Sequence, residues 1–203
     1  MPTIFHDFLQ QLAQTSWLEW IATLSGLACV YLAAKQNIWN WPISIISVSL
    51  YLYIFYQSRI YGDSILQIYF LLTAIYGWYY WRKRDQSDEK PISSLSIRQQ
   101  AIYFAIILAL GAAIGFCLDR WTDSDVPYID GLCTSMSFIA QFLMTRKYVQ
   151  SWAIWVAVDV LYIPLYLHKD LAMTAVLYFI FAVIAWNGYR DWRKTFLNTT
   201  WQK

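Results

Sequence analysis

KYVQSWAIWVAVDVLYIPLYLHKDLAMTAVLYFIFAVIAWNGYRDWRK, residues 147–194, decides the architecture because it copies an earlier stretch of the same chain. Displaced by 111 positions without a gap, Trp41 meets Trp152, Ile43 meets Ile154, and Leu50-Tyr51 meets Leu161-Tyr162. Further on, Leu66 meets Leu177, Phe70 meets Phe181, Ala74 meets Ala185 and Gly77 meets Gly188. Trp81-Arg82-Lys83 then meets Trp192-Arg193-Lys194, and upstream in the same register Glu19 pairs with Asp130 and Lys35 with Arg146. Apolar segments share residues by chance, but a Gly-x3-Trp-Arg-Lys ending in constant register does not arise that way. The chain contains an internal repeat, and a repeat fixes architecture before any other signal does.

Composition sets the class. Of 203 residues, 59% are apolar and 14% charged, far from the averages of soluble domains. The apolar residues form runs too long for the strands or amphipathic helices of a soluble core. The chain therefore reads as one integral membrane domain. Its net charge of +2 is spread over span ends and makes no nucleic-acid patch. Cys29, Cys117 and Cys133 lie in apolar segments without a CxxC or histidine partner, as small packing residues do. MPTIFHDFLQ has no basic region ahead of its first apolar run, so no cleaved signal peptide is expected.

A helix needs roughly 20 mostly apolar residues to cross the hydrocarbon layer. Seven stretches qualify, at about 17–34, 40–57, 62–81, 100–118, 127–144, 151–168 and 170–189. Glu19 interrupts the first, and the fifth is unusually polar. Spans 2–3 and 6–7 are joined by a few residues and must be antiparallel hairpins. Twelve of the fifteen basic residues fall on one side, leaving only Arg59, Arg120 and Lys169 on the other. That bias predicts a cytoplasmic C-terminus and an outside N-terminus in the cell's inner or plasma membrane. Trp17, Trp20, Trp39, Trp41, Tyr79, Tyr80, Trp81, Trp186 and Trp192 crowd near span ends, as in an interfacial belt.

The repeat and the span count together predict a 3+1+3 organisation. Residues 17–83 and 127–194 form two three-helix units, and 84–126 supplies a cytoplasmic linker plus connector helix 4. Both units begin on the same side, so they are parallel repeats related by an axis along the membrane normal. The charged run at 82–98 is expected to be a solvated, mobile linker.

Polar groups at membrane depth are costly and tend to face the protein interior. Trp152, Trp155, Asp159, Tyr162 and Tyr166 recur at spacings of three and four, on one helical face. An acid among aromatic rings suits a cationic aromatic ligand, because the rings stack on it and attract its charge while the carboxylate balances it. Asp130, Thr134, Ser137 and Gln141 share a face of span 5, which serves a site or interhelical packing equally well. Ser44, Ser47 and Tyr51 share one of span 2, where Asn40-Trp41-Pro42 makes a good helix start. Gln67, near Asp63 in span 3, and Asn187, beside Gly188, complete the candidate binding residues. Pro164 is a candidate hinge in span 6. The chain has no GxxxxGK[ST], HExxH or GxSxG, and His6 and His168 sit at span ends. Enzymatic, metal and cofactor chemistry are therefore not expected.

NIWNWPISIISVSLYLY, YGDSILQIYF, IYGWYYW, LMTRKYVQSWAIW and LYFIFAVIAWNGYRDW together resemble the PnuC-type vitamin transporters, from about Trp17 to Trp192. The family's WxxW pair appears as Trp152-Ala-Ile-Trp155 and its LQ pair as Leu66-Gln67. The resemblance implies a SWEET-like seven-helix carrier, though differently connected, that takes up nicotinamide riboside by facilitated diffusion. A separate cytoplasmic kinase would trap the substrate, and a homotrimer in membrane lipid is expected by analogy. Where better-known members carry asparagines in spans 2, 3 and 6, this chain places Ser47, Ala74 and Asp159. Thiamine, carried by a related subgroup and likewise cationic and aromatic, stays open as the substrate, riboflavin is a third vitamin to consider, and proton-coupled uptake stays open as the mechanism.

Overall fold

The computed structural model describes residues 16–57, 61–82, 91–122, 124–168 and 172–201. Seven α-helices form among them: α1 (Trp17–Ala34), α2 (Asn40–Gln57), α3 (Tyr61–Arg82), α4 (Ile97–Trp121), α5 (Pro127–Thr145), α6 (Gln150–His168) and α7 (Ala172–Trp201). Trp17–Ala34, Ile97–Trp121 and Gln150–Leu167 are apolar and long enough to cross a membrane. The other helices mix Ser, Gln, Asn, Tyr and Trp with their apolar residues, which lowers mean hydropathy.

Local chemistry explains the helix ends. Glu19 does not interrupt α1; it closes a capping box, accepting from the Ser16 N–H at 2.7 Å while Ser16 Oγ accepts from its own N–H. Ser96 and Gln99 start α4 in the same way. Helices α4 and α7 overrun the expected apolar spans, because a helix need not stop where its lipid-facing part does. In α7 the continuation past residue 189 buries Trp192 completely.

Among the described residues, α1, α2, α3, α5, α6 and α7 pack in a closed ring in the order 1-2-3-5-6-7, and α4 packs on α5 alone. The α4–α5 contact is close because it is made of small residues. A Cβ added to Gly131 would lie 2.5 Å from Gly115 N and 2.6 Å from Gly111 O. Ser135 Oγ also donates to Ile107 O at 2.9 Å.

The main core lies at one end of the ring. It gathers Ala33 and Ala34 from the end of α1, Trp41 from the start of α2 and Trp81 from the end of α3. Met144 ends α5, Trp152 begins α6, and Ala185 and Trp192 come from α7. Trp41, Trp81 and Trp192 are therefore core residues, 1%, 8% and 0% exposed, and not part of an interfacial belt. Their ring faces are taken by one another, whereas Trp17, Trp39 and Trp186 are exposed as a belt requires.

Contacts here recur at the 111-residue displacement. Trp41 meets Trp81 edge-on at 5.2 Å, and Trp152 meets Trp192 edge-on at 5.6 Å. Gly77 lies under Trp41 and Gly188 under Trp152, so closely that a Cβ would fall 2.5 and 2.9 Å from the rings. Both α1 and α5 end in a left-handed residue, Gln36 at φ 54° and Lys147 at φ 59°. Asn37 N–H then bonds Leu32 O and Tyr148 N–H bonds Leu143 O, with Gln36 to Ala33 O and Lys147 to Met144 O inside them. This is the Schellman arrangement, which leaves the last helical carbonyl without a backbone partner.

Of the linker, 83–90 lies outside the described residues, and 91–96 is not solvated as expected. Ile92 and Leu95 are buried, since they are the apolar positions in an otherwise polar run. Ser93 N–H bonds Lys147 O at 2.9 Å, Val149 N–H bonds Ser93 O at 3.0 Å, and Leu95 N–H bonds Gln150 Oε1 at 3.0 Å. The segment is strapped across the turn between α5 and α6.

Candidate functional site

A cavity of about 230 Å³ opens inside the ring and rests on the tryptophan core. All six ring helices line it and α4 contributes nothing. From α6 come Trp152, Trp155 and Asp159, whose spacings of three and four place them on one face. Gln67 and Phe70 come from α3, Gln141 and Met144 from α5, and Tyr178, Phe181 and Ala185 from α7. Helix α2 supplies Asn40, Trp41, Ser44, Ser47, Val48 and Tyr51.

Asp159 is the charged residue of the lining, and it is 4% exposed. No cation pairs with it among the described residues, where the ion pair is Lys35–Asp191, at the surface. A carboxylate removed from water without a partner is strongly disfavoured, so a cation bound beside it would be stabilised. Trp41 Nε1 and Trp152 Nε1 are likewise buried without a hydrogen-bond partner among the described residues. Trp155 tilts against Phe70 with centroids 6.2 Å apart, which leaves aromatic surface around the acid. The lining thus holds one carboxyl group, two indole N–H groups in need of acceptors, and π-faces. Such a set accepts a small flat cation that also carries hydrogen-bond acceptors.

Six of the eight sequence candidates, Trp152, Trp155, Asp159, Gln67, Ser47 and Gln141, line the cavity. Ser47 has its hydroxyl committed, donating to Ala22 O at 2.8 Å, so it joins α2 to α1 as well. Tyr162 is not in the lining; it stacks with Tyr166 at 5.4 Å and meets Tyr178, which is in it, at 4.8 Å. Asn187 is exposed and lies outside the cavity. The α5 face divides: Ser137 Oγ donates to Cys133 O of its own helix at 2.8 Å, and Asp130 accepts from Ser124 at 3.0 Å. Pro164 lies inside α6, while the side chains of Asp63 and His168, and all of His6, fall outside the described residues.

Sequence reasoning missed Trp41 as a lining residue and read it as belt, although its alignment with Trp152 was the signal. Tyr178 and Phe181 had a weaker one, as residues displaced by 111 from Gln67 and Phe70, and all four line the cavity.

The nicotinamide mononucleotide transporter family matches residues 16–194. The nicotinamide riboside transporter PnuC of Escherichia coli (strain K12) is 28% identical, over 87% of this chain and 85% of that protein. The riboflavin/roseoflavin transporter RibM of Streptomyces davaonensis is 25% identical, over 87% of this chain and 84% of that one. The crystal structure of the vitamin B3 transporter PnuC superposes with a TM-score of 0.75 at 25% identity, covering 96% of this chain and 90% of that chain. With apolar helices and a lined cavity enclosed by six of them, the chain belongs to the nicotinamide mononucleotide transporter family, whose members are membrane transporters and not enzymes.

Proposed function

We propose that this protein is a facilitative carrier for nicotinamide riboside, which enters the cytoplasm down its gradient and is trapped there by a separate kinase. One observation carries the reading: the unpaired, buried carboxylate of Asp159 shares a cavity with Trp152, Trp155 and two indole N–H groups that have no acceptor. A pyridinium ring supplies the missing positive charge, and its carboxamide and sugar oxygens supply the missing acceptors. At about 230 Å³ the cavity is below the ~300–1,000 Å³ common for drug-sized ligands, which favours one ring with a sugar over a tricyclic flavin. Gln67 and Gln141, which line the cavity, are assigned to the ribose hydroxyls, and Trp155 is assigned as the stacking platform.

The working unit is read as two parallel three-helix repeats, 17–83 and 127–194, in a SWEET-like 3+1+3 arrangement with α4 as the connector. The tryptophan, glycine and helix-end contacts that recur at 111 residues support it, as does the packing of α4 on α5 alone. The twelve-to-three distribution of basic residues supports an outside N-terminus and a cytoplasmic C-terminus. A homotrimer in the lipid bilayer is proposed from the family resemblance.

Two other readings keep a specific observation each. Thiamine is also a small aromatic cation and meets the same Asp159. Proton-coupled uptake would use the same carboxylate as its titrating group. Proteoliposomes containing the purified protein separate these: flux of nicotinamide riboside supports the reading, flux of thiamine alone replaces the substrate, and flux of neither sinks the carrier. Uphill accumulation driven by an imposed pH gradient would establish the proton-coupled alternative.

A further inference from the structure

The core end of the ring holds a second device besides the cavity. Its two seams, α1 against α7 and α5 against α3, join helices far apart in the chain. At each seam the Schellman turn leaves one terminal carbonyl free, and a tryptophan from the facing helix takes it. Trp192 Nε1 donates to Ala34 O at 3.0 Å, and Trp81 Nε1 donates to Thr145 O at 3.1 Å. A cation beside each bond reinforces it differently. Lys35 pairs with Asp191 at 3.0 Å on the first seam. On the second, Arg146 lies 5.1 Å from the ring of Tyr80 and 5.5 Å from that of Tyr76, and Lys147 lies 4.7 Å from that of Trp81.

The two donors also touch each other, with Trp81 and Trp192 at 6.2 Å. Trp41 and Trp152, which line the cavity, meet them edge-on at 5.2 and 5.6 Å. Four indoles therefore run in one chain, with its outer members at the cavity and its inner members at the seams. We propose that the Trp81–Thr145 and Trp192–Ala34 bonds form a double latch that closes the basic end of the cavity. Movement of Trp41 or Trp152 against a ligand would reach both latches through direct ring contact. The latch works as a gate only if the cavity is a transport site, and so rests on that reading, but its closing action does not depend on which ligand is carried.

The strength of the device follows from its exclusion of water. A buried terminal carbonyl that loses its indole donor has no substitute until the seam admits solvent, so breaking one bond favours opening and breaking both favours it further. A phenylalanine variant keeps one aromatic ring in place while removing the N–H, at the cost of the five-membered ring.

Cys29 lines the cavity on α1 and serves as a native probe. In a Cys117→Ser, Cys133→Ala background, a membrane-impermeant maleimide is applied to each face of sealed vesicles in turn. Trp81→Phe and Trp192→Phe should each raise Cys29 labelling from the face carrying Arg82 and Arg193 by about fivefold, and the double variant by more. Labelling equal to the parent in the double variant overturns the latch. If the double variant does not fold, unchanged labelling in both single variants overturns it equally. Protection of Cys29 by nicotinamide riboside is read in the same samples: lost protection with raised labelling removes the substrate and leaves the latch, and the converse removes the latch alone.

Discussion

Asp159 has no ion-pair partner among the described residues, so in the proposed carrier a bound cation would compensate its charge. Asp159→Asn keeps the volume and removes the charge, and Trp155→Ala removes the platform beside it. Each should weaken nicotinamide riboside binding by about tenfold or more while leaving expression intact. Calorimetry on purified protein checks this, and wild-type affinity in both variants would make this face of α6 a packing stripe. The periodicity of Trp152, Trp155 and Asp159 was legible because membrane depth makes an acid conspicuous. Val48, displaced by 111 from Asp159, lines the same cavity, but nothing in its chemistry marked it, whereas Ser44, displaced from Trp155, stood on the polar face of span 2. The fates of Ser137 and Ser47 were illegible for a different reason. A hydroxyl in a helix can turn to its own backbone or to a neighbour, and spacing does not distinguish the two.

Among the helices, the span pattern was legible and the ends were less so, since lipid-facing composition marks where a helix is apolar and not where it stops. The four core tryptophans show the limit well. Trp81 and Trp192 stand at span ends, where an aromatic belt is the ordinary expectation, and only the orphan carbonyls of Ala34 and Thr145 draw them inside. Glycine contacts set the remaining geometry. Gly188→Ala would drive a methyl into Trp152, whose ring atoms lie 2.9 Å from that Cβ position, and should lower stability by about 1–3 kcal/mol. A thermal melt in detergent measures it, and an unchanged midpoint would mean the indole moves freely. The α4–α5 crossing is tighter, because backbone atoms of Gly111 and Gly115 face Gly131 directly. Gly131→Leu should push α4 off α5, since neither backbone can yield as a side chain can. Protease sensitivity of the segment before α4 would rise, whereas an unaltered digestion pattern would show that the interface adapts. The sequence carries Gly111-x3-Gly115, but that spacing alone does not name the helix that packs there.

At the scale of the whole molecule, the 111-residue displacement places equivalent positions on both sides of one cavity while letting their chemistry diverge. Gln141 stands displaced from Val30, Asp159 from Val48 and Trp155 from Ser44, and all six residues line it. In the proposed carrier, two similar halves would rock about a site that binds its ligand in one orientation. The chain has no P-loop, and in the facilitative carrier proposed above the direction of net movement would come from the substrate gradient. Proteoliposomes loaded with nothing should equilibrate nicotinamide riboside and stop. The same vesicles enclosing a kinase with ATP should continue to accumulate label as the phosphorylated product, and an uncoupler should not slow them. Substrate rising above its outside concentration in kinase-free vesicles, and collapsing when a proton gradient is discharged, would contradict this and give Asp159 a proton to carry. If label rises with the kinase but also leaks back once phosphorylated, the cavity must admit the phosphate. Its lining opposes that on charge grounds, because Asp159 already holds the negative position. If no such leak occurs, trapping and selectivity in the proposed carrier would share one physical origin, a carboxylate that attracts the cation and disfavours its phosphorylated product.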